Sequence, residues 1–512
     1  MELSKFMIML AIIVYLGMMI AVGVRMSHKN NNAGDFYLGG RKLGPFVTAM
    51  SAEASDMSSW LLMGLPGLAY LSGVAEASWT AIGLAIGTYI NWLVIAKRVR
   101  RYTEVAGNSI TIPEFFENRF KDHSHLLLSL SAIMIVVFFV PYTASGFAAC
   151  GKLFATIFGV PYLTAMLVSA VVIVLYTMLG GFLAASTTDF IQSIIMSIAL
   201  LIVLTFGVQV AGGFGAIIDN AKVLPGYFSI SQGYDAINKT ATDFGIAQII
   251  STLAWGLGYF GMPHVLLRFM AIESEEMLTL SRRIASTWVV ISLAIGVFIG
   301  VVGYSMTKVG ALEVLTGANS ETIIVKIADL LSQQGIIAAI LAGLILAGIL
   351  ASTMSTADSQ LLAASSGISQ NLIHNGLGIK LSVKGNMLVA RGTVILIALV
   401  AVFFAKDPNS SVFRIVSFAW AGFGATFGPV MLLALFWRRM NKWGAISGLL
   451  SGGVMVFVWK YAIRPLGGFW NIYELLPAFI VAMLMIVIVS LLTNPPEQIV
   501  LDEFDLVNQK KS

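Results

Sequence analysis

The chain has 512 residues, of which 58% are hydrophobic and 11% charged, and its mean hydropathy is +0.87. A soluble globular chain carries about 25% charged residues, so a water-soluble enzyme is excluded and the lipid bilayer is the expected surrounding. The net charge of +5, from 31 Lys+Arg against 26 Asp+Glu, follows from basic membrane loops and calls for no nucleic-acid partner.

Apolar runs of about 20 residues, enough to cross a hydrocarbon core of about 30 Å, alternate with charged or Gly/Pro-rich breaks. They place spans near 5–24, 45–72, 75–97, 126–156, 160–180, 186–211 and 243–267. Further spans lie near 284–306, 336–366, 388–405, 411–437, 443–460 and 472–492. The expected fold is an all-α polytopic membrane protein of about thirteen transmembrane helices. The first run lacks a small-residue cleavage site and is followed by Arg25, His28 and Lys29; it reads as a retained helix, not a secretory signal.

Alternate loops gather most basic residues on one side, among them Arg41, Lys42, Lys97, Arg98, Arg100, Arg101, Arg268, Arg282, Lys380, Arg438, Lys510 and Lys511. The positive-inside rule makes that side cytoplasmic, with the N-terminus outside the plasma membrane and the C-terminus inside. Loops near 212–242 and 307–335 are below domain size. Residues 1–495 therefore read as one transmembrane domain and 496–512 as a short cytoplasmic tail. The single cysteine, Cys150, allows no intramolecular disulfide and reads as apolar filler.

Charge within a span is costly and marks an ion or substrate path. The second span carries Glu53 and Asp56 among Ser51, Ser55, Ser58 and Ser59. A helix broken around 54–58 could hold them against a cavity; the competing reading is a surface loop between two short spans. The seventh span reads Trp255-Gly256-Leu257-Gly258-Tyr259-Phe260-Gly261-Met262-Pro263-His264. Its glycines and proline weaken the helix, and Trp255 and Tyr259, four apart, can enclose a small ligand or belong to an interfacial belt. His264 reads as packed or snorkelling.

In the ninth span Ser352, Ser355, Thr356 and Ser359 stand at i, i+3, i+4 and i+7, one helical face. Such a stripe of hard oxygens suits an alkali cation or simple interhelical packing. Asp189 could guard an ion exit, but a helix cap is the simpler reading. The two interrupted segments are five spans apart, the pointer to an inverted-repeat transporter with a midplane site. The repeats would cover about 45–211 and 243–437, with peripheral helices near 5–24, 443–460 and 472–492. No phosphate-binding, dinucleotide or zinc motif is apparent, so no enzyme chemistry and no ATP motor are expected.

Several stretches resemble the sodium/solute symporter family, and the second-span and seventh-span stretches together its proline branch. They are Leu38-Gly39-Gly40-Arg41-Lys42-Leu43-Gly44-Pro45-Phe46, Ala54-Ser55-Asp56-Met57-Ser58, Gly180-Gly181-Phe182-Leu183-Ala184, Trp255 to Gly261, Met354-Ser355-Thr356 and Ala419-Trp420-Ala421-Gly422-Phe423-Gly424. The resemblance implies a leucine-transporter-like core of five plus five helices. It implies sodium held by the carbonyls of Ala54, Met57 and Ser352 and the hydroxyls of Ser355 and Thr356, with Asp56 in support. The family usually has alanine at 352, a change that a carbonyl ligand tolerates.

For the solute, Ser58, Tyr142, Trp255, Tyr259 and Pro263 match positions that surround proline, and Arg41 matches a sensitive cytoplasmic arginine, a gate charge or a positive-inside anchor. Glu53 departs from the proline branch, which has glycine there; it could tune ion affinity, accept a proton or face water. Asp358 replaces a neutral residue beside the hydroxyl stripe. The implied function is inward sodium flow driving L-proline uptake by alternating access, with no obligate protein partner. Another small carboxylate such as pantothenate is the close alternative. A membrane ligand sensor of the same fold is a more distant one, since the sequence runs only a short way past the last span.

Overall fold

The apolar runs fold almost wholly into helix. The computed structural model describes residues 3–27, 33–179, 181–379 and 382–509; His28, Lys29, Gly180, Lys380, Lys510 and Lys511 lie outside them. The main helices are α1 Leu3–Ser27, α2 Pro45–Ser59, α3 Leu65–Ser72, α4 Val74–Ile90, α5 Leu126–Phe158, α6 Tyr162–Leu179, α7 Phe182–Val210 and α8 Ile246–Leu253. They continue with α9 Pro263–Ala271, α10 Leu278–Lys308, α11 Ile336–Ser366, α12 Val383–Ala405, α13 Val412–Phe436, α14 Lys442–Val458, α15 Leu475–Leu492 and α16 Gln498–Asn508.

Among the described residues ten helices are long and apolar enough to cross a membrane, and Tyr162–Met178 is apolar but shorter. The pairs α2/α3 and α8/α9 are each interrupted and fall short of that length as single helices. On the outside of the bundle, α1 exposes Phe6, Ile13 and Val14, and α15 exposes Ile480, Leu484 and Leu491. Lipid is the solvent that such faces tolerate.

Helix α2 is the opposite case. Every residue from Thr48 to Tyr70 is buried, and α2 packs on α7, α9, α10 and α11, so its two carboxylates never meet lipid. The helix breaks at Ser58, whose φ of 47° and ψ of −172° leave the helical region. Such a conformation costs about 1–3 kcal/mol, and the Ser58 hydroxyl recovers part of this by accepting the Trp60 N–H at 3.1 Å. A π turn over Trp60–Gly64 then leads into α3.

The second break is gentler. Ala254–Gly261 tightens into 3₁₀ helix, Met262 is extended, and Pro263 opens α9. Glycines clamp this segment from both sides. A Cβ at Gly256 would stand 2.2 Å from the Gly83 carbonyl of α4, and one at Gly258 would stand 2.0 Å from the Trp420 indole nitrogen of α13.

Three features depart from the sequence reading. Helix α4 runs on through a π segment at Asn91–Ile95 and a helix at Ala96–Val105, so Lys97, Arg98, Arg100 and Arg101 are helical where a loop was expected. The 212–242 loop holds a short helix, Gly213–Lys222, and an antiparallel hairpin, β1 Gln232–Asp235 with β2 Thr240–Asp243, where an unstructured loop was expected; the fold class remains all-α. The tail folds as α16, burying Val500, Phe504 and Val507. It is held by Arg438 on Asp505 at 2.8 Å and Lys121 on Glu503 at 2.5 Å.

Candidate functional site

The break in α2 exposes backbone carbonyls toward the hydroxyl stripe of α11. The Ser355 hydroxyl donates to the Ala54 carbonyl at 2.8 Å, with the Ser352 carbonyl a second acceptor at 3.2 Å. The Thr356 hydroxyl donates to the same Ser352 carbonyl at 3.0 Å. Four of the five expected sodium ligands, Ala54, Ser352, Ser355 and Thr356, thus form one buried oxygen cluster. The fifth, Met57, has its carbonyl at the end of α2, where it accepts the Trp60 N–H. A donor set made only of hard neutral oxygens suits an alkali cation.

Asp56 connects this cluster to the expected solute residues. The Tyr142 hydroxyl donates to the Asp56 carbonyl at 3.0 Å, and the Tyr259 hydroxyl donates to Asp56 Oδ2 at 2.6 Å. Asp56 Oδ1 has no hydrogen-bond partner among the described residues. Ser58, Tyr142 and Thr356 also share a small cavity of about 10 Å³ with Ser59, Thr143 and Gln360, close to the volume one water needs.

Aromatic rings cover the other side. Trp255 lies 5.5 Å from Trp60, 5.2 Å from Tyr473 and 5.6 Å from Phe413, centroid to centroid. Trp420 donates its indole N–H to the Trp255 carbonyl at 2.8 Å and meets Tyr259 edge-on at 5.1 Å. Pro263 is buried at the start of α9. Trp60, Phe413, Trp420 and Tyr473 are site residues the sequence reading did not assign. Trp60 sits in the stretch that follows the first break and Trp420 in the Ala419–Gly424 stretch of α13, and both could have been found there; Tyr473 carries no such signal.

A second cluster lies along α2 toward its N-terminal end. Arg268 donates to Asp189 Oδ2 at 2.9 Å, to Ser51 at 3.0 Å, to Ser359 at 2.6 Å and to its own helix at the His264 carbonyl at 2.9 Å. Both charged side chains are buried, at 1% and 0% exposure. Arg268 was expected in a cytoplasmic loop; the structure buries it because Asp189 and three oxygens satisfy its guanidinium. Asp189 was read as a helix cap, yet the cap of α7 is Gly181, and Asp189 is the counter-charge of Arg268. Asp358 accepts from Ser359 at 3.3 Å and lines a separate cavity of about 20 Å³ with Tyr176 and Gly181. His264 packs its ring 5.8 Å from that of Phe139.

Arg41 closes the same end. Its guanidinium donates to the carbonyls of Met270 at 2.6 Å and Ser109 at 2.8 Å, and to Asn108 at 3.1 Å. Burial, aided by the nearby Arg100, pulls its pKa down to about 10. Leu43 and Ile272 pair alongside. Arg41 therefore ties the entry to α2 to the exit from α9. Glu53 is buried on the face of α2 that meets Trp92, which donates to it at 2.9 Å.

The pattern of the "Sodium:solute symporter family" matches residues 36–452. The chain is 43% identical to a sodium/proline symporter of Haemophilus influenzae over 96% of each chain. It is 42% identical to the high-affinity proline transporter PutP of Bacillus subtilis, over 95% of this chain and 98% of that one. It is also 42% identical to a sodium/proline symporter of Escherichia coli, over 94% and 92%. A sodium-coupled sialic acid symporter in a substrate-bound outward-open state superposes with a TM-score of 0.78 at 18% identity, over 96% of this chain and 99% of that one. A nucleobase-cation-symport-1 family transporter in a closed conformation gives 0.51 at 11% identity, over 93% and 99%. The fold is thus that of the leucine-transporter-like symporters, with its interrupted helices at the centre. The chain belongs to the sodium:solute symporter family.

Proposed function

We propose that this protein is a plasma-membrane symporter that couples inward sodium flow to uptake of L-proline by alternating access. One observation carries the reading: Asp56, two residues along α2 from Ala54 of the all-oxygen cluster suited to sodium, is hydrogen-bonded to Tyr142 and Tyr259 beside an aromatic enclosure suited to a small ring. The names printed for the full-length relatives, sodium/proline symporter and proline transporter, support the same solute and ion.

In this reading Ala54, Ser352, Ser355 and Thr356, with Met57, hold sodium. Asp56 orients Tyr142 and Tyr259, so that sodium binding at the α2 break also sets the solute residues. Ser58 and the N-terminus of the following helical segment face the proline carboxylate, a placement the helix dipole favours. Trp255, Tyr259 and Pro263 cover the pyrrolidine ring. Arg41 and the Arg268–Asp189 pair act as closures on the cytoplasmic side, and Asp358 lies beside that route. The interrupted pairs count as single spans, giving about thirteen, with repeats near 45–211 and 243–437. The basic ends face the cytoplasm, the N-terminus lies outside and the C-terminus inside.

Intrinsic fluorescence of the purified protein tests the solute, because Trp60, Trp255 and Trp420 stand around its site. L-Proline should change the signal in sodium and not in potassium, and Trp255→Phe should lose most of the response. Equal responses to pantothenate and proline, or a proline response in potassium alone, would contradict the reading.

A further inference from the structure

A cavity of about 420 Å³ lies between α1, α5, α6 and α11, within the range of about 300–1,000 Å³ usual for small-molecule sites. Among the described residues its lining holds no charged side chain. The hydroxyl of Ser169, one of its few polar groups, is spent on the Ala165 carbonyl at 2.8 Å. Water finds no partners in such a space; an apolar cavity of about 150 Å³ already stays dry and takes up an apolar ligand.

The cavity opens sideways. Ile13, Val160 and Val168 line it and are also 57%, 39% and 60% exposed. Around this opening α1 and α6 present further exposed apolar side chains, Val14, Leu163, Leu167 and Val171, and lipid hydrocarbon is the medium that such a flank meets. The inner wall is deep: Cys150 of α5 and Leu350 and Met354 of α11 line it at 5% exposure or less. The Tyr15 hydroxyl of α1 donates to the Met354 sulfur at 3.7 Å and fixes that wall.

Its depth is that of one leaflet. From Phe158, at the end of α5, down to Cys150 the lining descends about 12 Å at about 1.5 Å per residue, and half of a hydrocarbon core of about 30 Å is about 15 Å. Beyond it α1 and α6 meet, with Gly23 beside Tyr176 and Thr177 around a separate small cavity, so the slot is blind. A transmembrane helix, from a second copy or another protein, needs the full thickness of the core and does not fit. A single hydrocarbon chain entering from one leaflet does.

We propose that this slot binds one acyl chain of a membrane lipid, which completes the packing behind α11. Leu350 and Met354 stand one turn apart on the face of α11 opposite Ser352, Ser355 and Ser359 by helical periodicity, so the chain lies at the back of the helix that carries the hydroxyl stripe. The lining offers no charge to read a headgroup, so the site recognises the hydrocarbon tail and not the lipid class. The proposal depends on neither the solute nor the ion.

Two lipids with a photoreactive diazirine in mid-chain, one with a phosphatidylglycerol and one with a phosphatidylethanolamine headgroup, test it in vesicles that contain the purified full chain. Light should attach either lipid to Cys150, Leu350 or Met354, which lipid on the outer surface of the bundle does not reach, as well as to the exposed Leu163 and Leu167. Ser169→Phe, which fills the slot, should lose the labelling of the three deep residues and keep that of Leu163 and Leu167; Ser169→Ala should keep both. Deep labelling of the unmodified protein is read whether or not the phenylalanine variant folds. Labelling confined to exposed residues in the unmodified protein, deep labelling that survives in Ser169→Phe, or deep labelling by one headgroup alone would overturn the proposal.

Discussion

The hydroxyl of Ser355 donates to the carbonyl of Ala54 across 2.8 Å, bridging 301 positions of sequence between the broken helix and the hydroxyl stripe. Replacing that hydroxyl removes an oxygen from the cluster without disturbing α11, because alanine is a good helix former. Ser355→Ala and Thr356→Ala should each raise the sodium concentration for half-maximal uptake about tenfold or more, equivalent to about 1.4 kcal/mol. Sodium titration of uptake reads this directly, and unchanged half-saturation in both variants would count against the site.

The Arg268–Asp189 pair is a fully buried ion pair. Removing one partner strands the other charge in a low-dielectric interior, at about 3–5 kcal/mol. Arg268→Ala and Asp189→Ala should each lower thermal stability in detergent strongly. The double variant Arg268→Met with Asp189→Leu should recover much of that loss, because no unpaired charge remains. Additive losses would show that the two residues do not interact as described.

The clamp on the second break is steric. Gly256→Ala would bring a Cβ to 2.2 Å from the Gly83 carbonyl, backbone against backbone, and overpacking of this kind costs about 1–3 kcal/mol. Gly17→Ala on the lipid-facing α1 meets nothing within 4 Å and should be neutral or slightly stabilising. Thermal unfolding of the two variants side by side separates a packing effect from a general intolerance of alanine.

Much of this arrangement is legible in the sequence, and the misses have physical reasons. The break in α2 is visible because Glu53, Asp56 and four serines cannot face lipid, and the second break because Gly256, Gly258, Gly261 and Pro263 crowd one segment. Arg268 looks like a loop residue since its partner Asp189 lies 79 positions away, a distance no local pattern spans. The α16 helix is readable in hindsight from Val500, Phe504 and Val507 at i, i+4 and i+7, but its docking depends on Arg438 and Lys121 from distant segments. The π segment at Asn91 leaves no compositional trace at all.

One pH effect lies outside the spans. Asp122 precedes α5; burial raises its pKa, but the N–H groups of Leu127 and Ser124, the Ser124 hydroxyl and Lys442 more than offset this, leaving it below the usual 3.8. A depressed folded pKa contributes stability above the unfolded value, lost as pH falls through the folded one. Asp122→Asn should therefore be less stable than the unmodified protein at neutral pH. The gap should close as pH drops below about 4, as melting temperatures across pH would record; a gap independent of pH would contradict the ionic role.

The most direct test is uptake of radiolabelled L-proline into proteoliposomes that contain only this protein, first with an inward sodium gradient and then with potassium in its place. The account predicts accumulation above the external concentration in sodium, collapse when the gradient is dissipated, and none in potassium. Equal uptake with both ions would contradict sodium coupling, and sodium-driven uptake of other solutes without proline would contradict the proposed solute.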